Sequence, residues 1–118
     1  MNQERKPADH GVCLLVYPAK DMEADKKLLQ ALLGVDPYVD SPYYTGFRNG
    51  GLEIGLDPNS SSTGPIVYWA VNDIKASLQR LLDAGGELVQ DVRKVGPGRQ
   101  IAQVKDAGGS TVGILQDS

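Results

Sequence analysis

Hydrophobic positions along the chain fall in blocks whose period changes from continuous to helical and back. Residues 12–17, VCLLVY, form a short unbroken apolar run closed by Pro18, the pattern of a strand buried on both faces. From Asp21 the period lengthens. In DMEADKKLLQALLGV, residues Met22, Leu28, Leu29, Leu32 and Leu33 fall on one stripe at helical spacings, and Gly34 ends the run as a C-cap does. YVDSPYYTGFRNG and GLEIGLDP then read as two or three short extended segments, divided by Pro42 and the NGG turn. The first half is therefore β-α-β-β-β.

Residues 57–65, DPNSSSTGP, carry only loop chemistry, and after them the order repeats. IVYWAV is a second apolar strand, and NDIKASLQRLLDAGG a second helix with Asn72 or Asp73 as its cap and Gly85 at its end. ELVQDVRKV, RQIAQVKD and STVGILQ complete the set, turned by GPG at 96–98 and DAGG at 106–109. Each half also places a glycine inside an apolar run: Gly55 in GGLEIGL and Gly113 in GGSTVGI. Glycine weakens a strand, so both positions need a reason.

Composition narrows the function classes. With 118 residues the chain has one ordinary domain's length and needs no disulfide or metal to hold a core. No apolar stretch approaches the ~20 residues that span a bilayer. A net charge of -3, with Lys and Arg dispersed, argues against nucleic acid as a partner. The polar start MNQERKPADHG has no hydrophobic targeting region and reads as a flexible tail over residues 1–11, which implies a cytoplasmic protein. The single Cys13 lies in an apolar run, where cysteine acts as a small hydrophobe. GPGR lacks the residues of a phosphate loop, and one histidine in a tail does not make a hydrolase triad.

The order and spacing of these elements, with D…LLG in the first half, VNDI…LLDAGGE in the second and the ending VKDAGGSTVGILQ, resemble the vicinal oxygen chelate superfamily of glyoxalase, bleomycin-resistance and extradiol-dioxygenase proteins. The similarity runs from about Val12 to Gln116. It implies an α+β fold in which two tandem βαβββ modules form a curved mixed sheet, with a concave cup on one side and the helices on the convex side. The expected single domain covers residues 12–118, with module one at about 12–57, a linker at 58–65 and module two at about 66–116.

The resemblance also implies where a metal would sit. Metal-dependent members use one residue on the first strand of each module, seven before the helix-starting Asp, and one on each last strand. Here these positions are Leu14, Gly55, Ile66 and Gly113, none of which can ligate a metal. His10 lies outside the pattern. No metal and no cofactor are therefore expected.

Period-2 alternation puts Leu52, Ile54 and Leu56 on one face of their strand and Gly55 on the other, and treats Val112, Ile114 and Gly113 in the same way. Two readings of the glycines stand: they line the cup and admit a ligand or a neighbouring strand closely, or they relieve crowding where the sheet bends. Glu53 shares the parity of Gly55 and is the first acid–base candidate. Tyr68 and Ala70 are read as facing the cup and Val67, Trp69 and Val71 as facing the core, with Thr45 and Gln103 as cup positions on neighbouring strands. Tyr43, Tyr44, Arg48 and Arg99 are candidates for the mouth, where Arg can fork onto a carboxylate or phosphate.

These residues point first to a metal-independent binding protein that holds a small organic molecule against Leu14, Thr45, Glu53, Gly55, Ile66, Tyr68, Gln103 and Gly113. The resemblance implies a homodimer. The alternative is an enzyme of the same superfamily, with lyase, isomerase or dioxygenase-like chemistry and a displaced or absent metal. A regulatory protein with a vestigial cup is the third possibility.

Overall fold

The computed structural model describes residues 11–118; His10 and the rest of the expected tail before Gly11 lie outside the described residues. The chain runs β1 (Val12–Pro18), α1 (Met22–Leu33), β2 (Val39–Ser41), β3 (Tyr44–Asn49), β4 (Leu52–Asp57), then β5 (Ile66–Ala70), α2 (Ile74–Asp83), β6 (Glu87–Gly96), β7 (Arg99–Lys105) and β8 (Thr111–Asp117). This is an α+β fold in which a βαβββ unit occurs twice. The contacts divide it into two compact units, one over Leu14–Ile66 and one over Val67–Ser118 with the first residues of β1.

In module one the strand order is β2-β3-β4-β1, with β1 parallel to β4 and the other pairs antiparallel. Helix α1 starts where the Asp21 carboxylate accepts the Ala24 N–H at 3.1 Å, and ends where Gly34 takes the left-handed conformation at φ 71°. Its inner face meets β3 and β4: Leu29 joins Ala19, Phe47, Ile54 and Leu56 in a buried cluster, with Met22 and Leu33 packed against it. The apolar stripe read from sequence is only partly buried, because Leu28 and Leu32 are 67% and 75% exposed. Residues 22, 26, 29 and 33 share the face turned to the sheet, and Leu28 and Leu32 sit one position round the helix from it.

Module two repeats the plan with order β5-β8-β7-β6, β5 parallel to β8. The Asp73 carboxylate caps α2 by accepting the Ala76 N–H at 3.1 Å, and Gly85 follows its end at φ 107°. Gln116 Oε1 on β8 accepts the Ile74 N–H at 2.8 Å, so the last strand also satisfies the first turn of α2. Ile74 and Leu78 pack on Ala102, Val104 and Ile114. Trp69, expected in the core, is 41% exposed: α2 lies over β6, β7 and β8, and leaves the tryptophan on β5 partly open.

Candidate functional site

In each module one sheet face is covered by its helix, and the strand registers decide which side chains share the other, helix-free face. In module one Gly46 lies opposite Gly55, Arg48 opposite Glu53, Leu14 beside Glu53 and Val16 beside Gly55. Phe47 and Ile54 occupy the helix side, so Leu14, Tyr44, Gly46, Arg48, Glu53 and Gly55 lie on the helix-free face. Leu14 is buried there.

Thr45 departs from its expected place. It pairs with Leu56 on the helix side, is only 1% exposed, and its Oγ1 donates to Asp40 at 3.1 Å. It lines a cleft of about 330 Å³ with Met22, Lys26, Asp40 and Pro42. Lys26 reaches Asp40 at 3.0 Å and Glu23 at 3.4 Å, tying α1 to β2. The Lys26 hydrogen bond holds the Asp40 carboxyl below the usual carboxylate range, and Asp40 in turn raises the Lys26 ammonium.

The glycines on the helix-free faces have a clear spatial reason. Neither Gly55 nor Gly113 has positive φ, so the backbone conformation does not demand glycine at either place. A Cβ on Gly55 would come 2.6 Å from Cζ of Tyr44, and one on Gly113 would come 2.6 Å from Cε1 of Tyr68. Each glycine makes room for a tyrosine of its own module. The expectation that these glycines leave space for a ligand is corrected accordingly, since the space directly over each is occupied by a ring.

In module two Tyr68 and Gln103 both lie opposite Gly113, one on each neighbouring strand. The ring crosses the glycine, and Gln103 Nε2 donates to the Tyr68 hydroxyl at 2.7 Å. Tyr68 is 4% exposed, and Ile66, Ala70, Ile101 and Leu115 on the same face are buried. Cys13 is a structural contact here, its Sγ donating to the Tyr68 carbonyl at 3.6 Å. Module two thus brings Ile66, Tyr68, Gln103 and Gly113 to one face, while module one brings together Leu14, Glu53 and Gly55.

Sequence reasoning missed Tyr38. This residue precedes β2, donates its N–H to the Gly46 carbonyl at 2.9 Å, and lies where a Cβ on Gly46 would come within 3.0 Å of its ring. Its hydroxyl donates to Glu53 Oε1 at 2.9 Å, and the Arg48 guanidinium stacks 3.9 Å from its ring centre. The available signal was Gly46 itself, a mid-strand glycine as unexplained by sequence as Gly55. Of the mouth candidates, Tyr43 is exposed and Arg99 is engaged in a two-pronged bridge to Asp117 at 2.7 and 2.9 Å.

The family model of the glyoxalase/bleomycin resistance protein/dioxygenase superfamily matches residues 11–114. The chain belongs to this superfamily. No curated protein matches it. Among solved structures, a hypothetical protein from Bacillus halodurans C-125 superposes with a TM-score of 0.75 at 14% identity, covering 92% of this chain and 95% of the other. A superfamily member from Vibrio splendidus 12B01 gives 0.69 at 16% identity over 89% and 97% of the two chains. Streptomyces coelicolor methylmalonyl-CoA epimerase in complex with 2-nitronate-propionyl-CoA gives 0.72 at 14% identity over 92% and 95%. These likenesses establish the glyoxalase-superfamily fold.

The superfamily's metal chemistry requires donors that this chain does not place at the corresponding positions. Leu14 and Ile66 are buried hydrocarbon, and Gly55 and Gly113 are covered by phenol rings. Among the described residues no three of His, Cys, Asp and Glu gather as a ligand set. The residues present do not fit a metal at the family position.

Proposed function

We propose that this glyoxalase-superfamily protein binds a small organic molecule without a metal, on the helix-free face of its sheet modules. One domain over residues 12–118, acting as a cytoplasmic homodimer, completes the reading. No described helix is long and apolar enough to cross a membrane. The observation that carries the proposal is the pair of tyrosines over Gly55 and Gly113, where the resemblance places metal-binding carboxylates. Each module sets a phenol beside an oriented polar group, Tyr68 with Gln103 in one and Tyr38 with Glu53 in the other, and such pairing of aromatic surface with a few polar groups is the composition of a small-molecule site.

The test is metal content per chain on untagged protein after incubation with nickel, zinc, manganese and iron and removal of the excess, beside a thermal-shift screen of organic ligands on the same sample. The expected result is no stoichiometric metal and a rise in melting temperature with at least one ligand class. One tightly held metal per chain would overturn the proposal.

A second reading, catalysis without the family metal, is favoured by one feature. Glu53 stands on the helix-free face of module one, where its carboxylate accepts the Tyr38 hydroxyl at 2.9 Å. A ligand from the screen that is recovered chemically altered, and unaltered with Glu53→Gln, would establish it.

A further inference from the structure

We propose that Arg48, stacked on Tyr38, is the receptor for a carboxylate group on the ligand. This deepens the small-molecule reading above and rests on it. The argument begins with what a stacked guanidinium leaves free. Its Cζ lies 3.9 Å over the Tyr38 ring centre, a separation too short for an N–H to stand between them, so the group meets the ring with its flat face. All five N–H donors of an arginine point outward in its plane, where two of them match the two oxygens of a carboxylate.

Among the described residues those donors have no partner. The Arg48 side chain makes no hydrogen bond and no ion pair with those residues, and its stacking on Tyr38 is its one specific side-chain contact. The other cations with defined geometry differ: Arg99 is bridged to Asp117, Lys26 to Asp40 and Glu23, and Arg80 donates to Ser77. Arg48 also lies directly across from Glu53 on β4, the position where an ion pair would form most easily. The Glu53 carboxylate instead receives the Tyr38 hydroxyl at 2.9 Å.

The three residues therefore form a chain of support. Glu53 fixes the end of the Tyr38 ring, the Tyr38 backbone is tied to Gly46, and the ring lies against that glycine. The fixed ring then orients the guanidinium. A long, flexible side chain loses rotamer freedom when it binds, and an arginine already stacked loses less. Tyr38 is 42% exposed, so the platform is open to a ligand from solvent. The adjacent negative charge of Glu53 favours a singly charged carboxylate over a doubly charged phosphate.

The experiment uses the ¹⁵N-labelled full chain, with the Arg48 Nε–H signal assigned by its loss in Arg48→Gln, and titrates benzoate against its neutral isostere benzamide. Benzoate is expected to move the Arg48 Nε–H and Gly46 amide signals saturably, and benzamide to bind at least about ten-fold more weakly, as loss of a charge-assisted pair requires. Arg48→Gln should erase that preference without changing the melting temperature. Tyr38→Phe should weaken it slightly and Tyr38→Ala should weaken it most, because the ring faces the guanidinium while the hydroxyl only holds the ring to Glu53. An Arg48 signal unmoved by benzoate overturns the proposal. Equal responses to the two compounds also overturn it, while leaving the face a small-molecule site; failure of the broader reading shows separately, as a stoichiometric metal in the metal assay.

Discussion

Gln103 on β7 donates to the hydroxyl of Tyr68 on β5 at 2.7 Å, and the bond spans the intervening strand at Gly113. A side chain at position 113 would stand in the path of the ring, so the hydrogen bond and the glycine are one device. Module one uses the same device with different residues: Tyr38 lies against Gly46 and reaches Glu53, while Tyr44 lies over Gly55. The helix-free sheet faces thus carry a tyrosine ring against each of Gly46, Gly55 and Gly113.

Gly113→Ala is expected to destabilise the protein by about 1–3 kcal/mol, the usual cost of forcing extra volume into a packed site. The added Cβ would approach not only the ring edge but Cγ of Tyr68 at 2.9 Å, and a ring blocked near its base cannot swing clear. Gly55→Ala should cost less, because the atoms it meets are at the far end of a half-buried Tyr44. Urea denaturation of both variants checks the order. In a Tyr68→Ala background the Gly113→Ala penalty should vanish, and its persistence would mean that the backbone rather than the ring requires glycine.

Much of this was legible in the sequence, for identifiable reasons. The βαβββ repeat follows from two changes of hydrophobic period, and the placement of Gly55 and Gly113 opposite their apolar neighbours follows from alternation alone. Thr45 was misplaced because alternation does not say how two strands are registered. The turn does: Gly50 and Gly51 form a two-residue loop with both φ values positive, Asn49 pairs with Leu52, and counting back puts Thr45 opposite Leu56. A slip of one residue reverses every side chain. Tyr38 was invisible for a different reason, since it lies outside a strand and no periodicity aims its ring at Gly46.

Helix α1 shows where pattern and packing part. Five apolar residues suggested one buried stripe, yet Lys26 stands in the middle of the face that meets the sheet, and Leu28 and Leu32 face outward. Leu29→Ala is therefore expected to cost about 2–5 kcal/mol as a core truncation. Leu28→Lys and Leu32→Gln should stay within about 0.5 kcal/mol of the parent, because exposed helix positions away from caps tolerate polar replacement. Thermal unfolding of the three variants separates them; a large loss from either exposed leucine would reveal a contact that covers it.

The amino end of α2 depends on a residue 42 positions away, since the Ile74 N–H donates to Gln116 Oε1. Gln116→Leu should cost about 1 kcal/mol, the usual value of a hydrogen bond to a helix N-terminal donor that is partly shielded from water. Gln116→Glu retains an acceptor at the positive end of the helix and should restore stability. Equal losses in both variants would show that the position matters for packing and not for the bond.

The Lys26–Asp40 pair makes stability depend on pH at both ends of the scale. Asp40 has its pKa lowered from 3.8 on folding, chiefly by the Lys26 hydrogen bond, so its contribution is present above the unfolded value and is lost as pH falls through the folded one. Lys26 has its pKa raised from 10.5, chiefly by Asp40, so its contribution is full below that value and disappears as pH rises through the folded one. Asp40→Asn should therefore leave the melting temperature less sensitive to acid below pH 3.8 than in the parent, and less sensitive to alkali above pH 10.5. Salt should reduce the difference between parent and variant, because both partners reach solvent. Identical pH profiles for the two proteins would mean that the pair carries no charge-linked stability and that Asp40 serves only as the acceptor for the buried Thr45 hydroxyl.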